Sequence, residues 1–259
     1  VLYALGAGVG GFASSRLYKQ MGGQRWAWVV LLQLVLFPAA TAAIVLVLNQ
    51  VAVSHYSMRA MNPGTLLQVC AIHMFVGMPM TVIGSIVGRN TAGDFAAPCR
   101  TKVAQREIPQ PPWYRSTLVQ LALAGFLPFS AIFVELFYVY NSVWSHAHYS
   151  LYGVIAVVFV LLVLVAVSVT ISLTYHLLSL EDYRWWWNSF ICGGSAAVYV
   201  FLYSIVYWNQ SAMSGVLQGF FYFGYIAIVC AAMFLMLGTL GFYGSLKFVR
   251  YIYSQLKID

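Results

Sequence analysis

An all-α fold, a polytopic bundle of transmembrane helices, is what this sequence predicts, and three observations predict it. Of its 259 residues 62% are hydrophobic and only 7% charged, against about 25% charged in soluble domains. Apolar runs of about 20 residues, the length a helix needs to cross a ~30 Å hydrocarbon core, recur along the whole chain. The alternating ten-residue segments of a membrane β-barrel are nowhere among them.

Seven spans follow in order, over residues 1–15, 27–48, 65–88, 117–140, 151–175, 190–208 and 215–242. They make up a transmembrane domain over 1–243, and 244–259 reads as a tail. The first span is rich in glycine, and Val1 already lies inside an apolar run, as expected of a piece of a longer chain. The second, third and fourth spans carry interior prolines, Pro38, Pro79 and Pro128. Each removes a backbone donor, which a membrane helix tolerates where a neighbouring helix or water satisfies the freed carbonyl. Small residues four apart, Gly6/Gly10, Gly84/Gly88 and Gly215/Gly219, allow close helix approach. Broken helices around a substrate site are the other reading of the same prolines.

Charge sets the orientation. Arg16, Lys19 and Arg25, then Arg89, Arg100, Lys102, Arg106 and Arg115, then Arg184, then Lys247, Arg250 and Lys257 fall on one side, and Arg59 alone on the other. Basic loops stay cytosolic. The C-terminus is therefore expected in the cytosol, and the loops with His55, His146 and His148 in the lumen or outside. The same loops account for the net charge of +7, so nucleic acid is not expected as a partner; the lipid bilayer is. Basic residues beside the cytosolic leaflet attract anionic lipid, and Pro109–Pro112 leads into an aromatic anchor at Trp113 and Tyr114. Asn209-Gln210-Ser211 matches a glycosylation sequon, in a turn too close to the membrane to be modified.

The stretch Glu181-Asp182-Tyr183-Arg184-Trp185-Trp186-Trp187 reads as a cytosolic loop pinned at the membrane surface, its tryptophans setting the depth of the sixth span. Asp182 or Glu181 is placed to pair with Arg184 or with a basic loop. Glu135 is the only acid well inside a span. Intramembrane carboxylates are expensive, so it is a candidate for helix pairing, ion or proton coupling, or contact with a client. His73, inside the third span, is expected to be a hydrogen-bonded core residue. Cys70, Cys99, Cys192 and Cys230 follow no metal spacing and read as small apolar residues. The luminal histidines lack a cysteine or carboxylate to complete a ligand set, and surface residues are the expectation, with pH sensing and metal binding as lesser readings. No catalytic, cofactor-binding or metal motif is present, so an enzyme is not expected.

Four stretches together resemble the nonaspanins, the nine-transmembrane superfamily. They are the charged aromatic heptapeptide Glu181 to Trp187, the Pro-Phe-rich span Leu127-Pro128-Phe129-Ser130-Ala131-Ile132-Phe133-Val134-Glu135-Leu136, the span exit Gly10-Gly11-Phe12-Ala13-Ser14-Ser15-Arg16-Leu17-Tyr18-Lys19, and the ending Lys257-Ile258-Asp259. The resemblance covers essentially the whole chain and implies that its seven spans are the last seven of nine, without the family's luminal N-terminal domain. It further implies a Golgi and endosomal protein acting in the trafficking and localisation of client membrane proteins, with links to adhesion, phagocytosis and metal homeostasis. Lys257 and Asp259 would then be a Lys-x-Asp sorting signal read by the coatomer coat. The rival expectation is an ion- or proton-coupled transporter built on Glu135 and the proline-broken spans.

Overall fold

A computed structural model describes residues 1–57, 60–93, 95, 116–144, 151–180, 182–211, 213 and 215–255. All its regular structure is helical: α1 (Leu2–Gln20), α2 (Trp26–Ser54), α3 (Pro63–Ile72), a π-helical turn (His73–Gly77), α4 (Met78–Asn90), α5 (Thr117–Trp144), α6 (Leu151–Ser179), α7 (Trp185–Gly194), α8 (Ala196–Gln210) and α9 (Val216–Gln255). Among the described residues six segments are long and apolar enough to cross a membrane, including Pro63–Asn90 taken through the π turn and Trp185–Gln210 taken through Ser195. The glycine-rich α1 is helical over 19 residues but less apolar than these. The expected all-α polytopic bundle is what the chain forms.

The composition is sorted inside out relative to a soluble protein. Thr81, Ser85, Thr170, Thr174, Ser189, Ser204 and Ser245 are buried, while large apolar side chains such as Trp28, Leu32, Leu36, Phe75 and Leu164 lie more than half exposed. In lipid, apolar burial does not drive helices together; small residues, close packing and interhelical hydrogen bonds do.

The chain divides into two compact units, Val1–Ala96 with Val216–Gly224, and Ala97–Gly215 with Tyr225–Asp259. In the first, α1 and α4 run parallel with their backbones almost touching. A Cβ on Gly84 would run into the Gly8 carbonyl, one on Gly88 into the Phe12 carbonyl, and one on Gly11 into the Thr81 carbonyl. The pair Gly84/Gly88 thus packs as its spacing predicts. Gly6 has nothing within 4 Å, and Gly10 instead makes room for the Gln33 side chain. Ser14 Oγ donates to Gln33 Oε1 at 2.7 Å, tying α1 to α2.

In the second unit, small residues join α7 and α6 to α9. A Cβ on Gly193 would lie 2.8 Å from the Leu237 carbonyl, and one on Gly241 3.1 Å from Thr170 Oγ1. One turn along the α6–α9 seam, Thr174 Oγ1 donates to the buried Ser245 hydroxyl at 2.8 Å. α5 meets α8 through two aromatic stripes: Phe129 stacks on Tyr199, Phe133 meets Tyr203 edge-on, and Tyr140 packs on Tyr203 and Tyr207.

Two boundaries differ from expectation. Helix α7 begins at Trp185, five residues before the expected start at Phe190, so the three tryptophans form its first turn and not a loop. The supposed tail from 244 continues α9 as helix to Gln255. Lys247 and Arg250, taken as tail charges, ride on that helix, and the Lys247 ammonium lies 5.6 Å from the Tyr243 ring.

Candidate functional site

Proline creates the first local demand. Pro38 has no N–H, so the Leu34 carbonyl four residues earlier lacks its helical partner. His73 supplies one: its Nε2 lies 3.2 Å from that carbonyl, and its Nδ1 is 2.6 Å from the Tyr3 hydroxyl. A carbonyl only accepts, so Nε2 carries the proton and Nδ1 accepts from Tyr3. Space for this relay comes from Gly77, where a Cβ would lie 2.6 Å from the Tyr3 oxygen and 3.0 Å from Nδ1. The π turn from His73 to Gly77 runs into Pro79, which in turn cannot donate to Phe75. His73 is thus hydrogen-bonded on both ring nitrogens, as expected, while its partners were not foreseen. Pro38 and Pro128 sit inside unbroken helices, without the breaks that a discontinuous-helix site requires.

Each unit also holds an apolar cleft of about 540 Å³. The first is lined by Ala43, Ile44, Val47 and Leu48 of α2 and by Val216, Gly219, Phe220, Phe223 and Gly224 of α9, with no polar side chain. Glycine brings its two helices together: Leu48 packs directly on Gly224, where a Cβ would come 2.7 Å from the Leu48 methyl. The second lies along the aromatic stripes, between Phe129, Phe133, Val134, Phe137 and Tyr138 of α5 and Tyr199, Leu202, Tyr203 and Val206 of α8, and Gln210 is its polar end. The spacing Phe129, Phe133, Phe137 against Tyr199, Tyr203, Tyr207 is legible as two four-residue stripes, a signal that Pro and Glu in the same span had overshadowed. What such clefts bind is apolar and elongated: a lipid chain or a helix with a bulky side chain to seat.

Glu135 lines neither cleft. Ala124, Pro128, Ile132, Leu136 and Tyr140 form the buried stripe of α5, and at ~100° per residue Glu135 falls about 60° to one side of it, with Phe129 and Phe133 on the other. The carboxylate is half-buried and makes no hydrogen bond or ion pair with the described residues. In the heptapeptide, Asp182 Oδ1 accepts from the Arg184 backbone N–H at 2.8 Å and from its Nε at 3.4 Å, the pairing expected of them. Trp185 turns inward and stacks on Phe242, rings 6.2 Å apart and 9° from parallel. Trp186 and Trp187 are exposed, Trp187 at 65%, and Tyr183 packs beside Trp186. Glu181, Lys257, Asp259, His146, His148 and Cys99 lie outside the described residues. His55 is exposed, Cys192 and Cys230 are buried thiols and Cys70 is exposed. Among the described residues no three His, Cys, Asp or Glu side chains gather as a metal centre requires.

Comparison with known proteins agrees with this architecture. The family model for endomembrane protein 70 matches residues 1–216. Transmembrane 9 superfamily member 1 of Bos taurus is 47% identical over 260 aligned residues, covering 100% of this chain and 43% of that protein. Transmembrane 9 superfamily member 4 of Arabidopsis thaliana is 43% identical, covering 100% of this chain and 44% of its own length. No solved structure matches. The chain spans less than half the length of these curated relatives. On a family match that runs from α1 through the charged aromatic heptapeptide to the start of α9, and on relatives aligned over its whole length, this chain belongs to the endomembrane protein 70 family, the transmembrane 9 superfamily.

Proposed function

We propose that the chain is the membrane part of a Golgi and endosomal trafficking factor that receives membrane-spanning segments of client proteins in its apolar clefts. The observation that carries this reading is the first cleft, about 540 Å³ lined by carbon alone. An ion path needs polar groups along it, and this cleft has no polar side chain; a client helix needs an apolar groove for one bulky side chain, and the cleft lined by Ala43, Val47, Gly219 and Phe220 offers one. The basic loops on one side support a cytosolic C-terminus by the positive-inside rule. There Lys257 and Asp259 offer an ammonium and a carboxylate to a coatomer subunit through charge-assisted hydrogen bonds.

Proximity labelling of the full-length protein separates the two halves of the proposal. Gly219→Trp, which fills the first cleft, is expected to lose labelled client membrane proteins while the protein keeps its Golgi position. Lys257→Ala with Asp259→Ala is expected to do the reverse, moving the protein off the Golgi. Clients unchanged by the filled cleft would remove the cleft from the mechanism and favour the second reading, an ion- or proton-coupled carrier using Glu135. That reading draws on one observation, a half-buried carboxylate without a hydrogen-bond partner among the described residues.

A further inference from the structure

Residues 1–93 contain no aspartate or glutamate, yet four cations stand at one end of the first unit. Lys19 Nζ donates to the Arg89 carbonyl at 2.9 Å, joining the last turn of α1 to that of α4. The Arg89 guanidinium lies 4.9 Å from the Trp26 ring, joining α4 to the first turn of α2. Arg25 immediately precedes that turn, its backbone N–H donated to Tyr18 Oη at 3.3 Å. Arg16, one turn back from Lys19, lies 5.7 Å from the Phe12 ring. All four side chains are exposed, and none forms an ion pair with a described residue.

Helix termini do not account for this charge. The ends of α1 and α4 each present about half a negative charge, roughly one in all, and Lys19 already sits on a terminal carbonyl. Arg16, Arg25 and Arg89 remain in excess. Guanidinium groups held by aromatic rings keep their forked N–H donors free for phosphate oxygens. On the face of α2 turned away from Trp26, below Arg25, the side chains of Trp28, Leu31, Leu32, Val35 and Leu36 are each more than half exposed, an apolar track open to an acyl chain whose phosphate is at the basic end. Aromatic side chains at this level mark the boundary between headgroup and hydrocarbon.

We propose that this end of the first unit binds the headgroup of an anionic phospholipid carrying more than one negative charge, of the phosphoinositide class, with its acyl chain along α2. Three arginines without an ion pair among the described residues match a headgroup with a phosphomonoester better than one with a single diester charge. The occupant is a lipid and not a soluble anion, because the cations stand at the ends of helices long and apolar enough to cross a membrane, and the apolar track begins at Arg25.

The test is equilibrium binding of a fluorescent short-chain phosphatidylinositol 4-phosphate to the full-length protein in neutral detergent. Binding is expected to resist competition by phosphatidylcholine of the same chain length, and free inositol bisphosphate is expected to compete far more weakly than the unlabelled lipid. Arg16→Gln with Arg25→Gln and Arg89→Gln is expected to weaken binding about fivefold per arginine removed. Should the triple variant fail to fold, Arg25→Gln alone carries the test, since no side-chain hydrogen bond or ion pair of Arg25 with a described residue would be lost, and about a fivefold loss is expected. Equal competition by phosphatidylcholine, equal competition by the free headgroup, or unchanged affinity in the variants would each overturn the proposal.

Discussion

His73 and Pro38 are coupled through a carbonyl that belongs to neither. Pro38 strips the Leu34 oxygen of its helical donor, and His73 Nε2 takes that place from a different span at 3.2 Å. The other ring nitrogen accepts from Tyr3, so one imidazole joins three helical segments. A buried acceptor left unpaired costs about 1–3 kcal/mol, which gives the arrangement a measurable consequence.

His73→Ala is expected to lower the thermal stability of the purified protein by about 1–3 kcal/mol. With Pro38→Ala in the background, the alanine N–H returns to the Leu34 carbonyl, and the cost of losing His73 should fall by about 1 kcal/mol. Thermal unfolding of the four proteins in one detergent measures the cycle. Strictly additive effects would show that the imidazole does not answer the proline.

The α1–α4 seam predicts a contrast between glycines of the same motif. Gly84→Leu and Gly88→Leu would drive side chains into the Gly8 and Phe12 backbone, and at least the usual overpacking cost of about 1–3 kcal/mol is expected. Gly6→Leu meets nothing within 4 Å and should be neutral or slightly stabilising, since leucine is the better helix former. The same melting assay reads both, and comparable losses at Gly6 and Gly84 would contradict the packing.

These two cases show what a sequence exposes in a membrane bundle. The apolar spans and the family are legible because length, apolar content and short charged aromatic motifs are local properties. Which glycine meets which helix is not, since Gly6/Gly10 and Gly84/Gly88 carry the same spacing and differ only in what lies opposite. For the same reason Pro38 announces an unpaired carbonyl at Leu34 without naming His73 as the donor. The heptapeptide misled for another reason: tryptophan suits the interface whether it stands in a loop or in a helix's first turn, so Trp185 read as an anchor though it packs inward on Phe242. The clefts lay beyond reach because they depend on glycines of α9 facing Leu48 and on the register of α5 against α8.

Within the heptapeptide, Trp185 and Trp187 should separate cleanly. Trp185→Ala removes the ring stacked on Phe242, and a loss of about 1 kcal/mol for the aromatic pair is expected, with more from the packing vacated. Trp187 is 65% exposed, so Trp187→Ala should leave detergent stability within about 0.5 kcal/mol. Its effect belongs to the bilayer, where fluorescence quenching by depth-specific lipid probes reads how deep Trp186 sits. A stability loss at Trp187 as large as that at Trp185 would place both rings in the bundle.

Glu135 decides between the two functional readings. It stands beside the buried stripe of α5, outside the lining of either cleft and without a hydrogen-bond partner among the described residues. If the side chain only tolerates its place, Glu135→Gln removes a costly charge while keeping shape, and stability should be unchanged or rise by about 1 kcal/mol. Client delivery in cells would then continue at any luminal pH. A coupling role predicts the opposite pattern: a folded protein of normal stability whose pH response vanishes, because glutamine cannot load and release a proton. Proton flux into vesicles reconstituted with the full-length protein, compared between the parent and Glu135→Gln, distinguishes the two. The client-binding reading expects no flux in either protein, and flux abolished by this one substitution would replace that reading with proton-coupled transport.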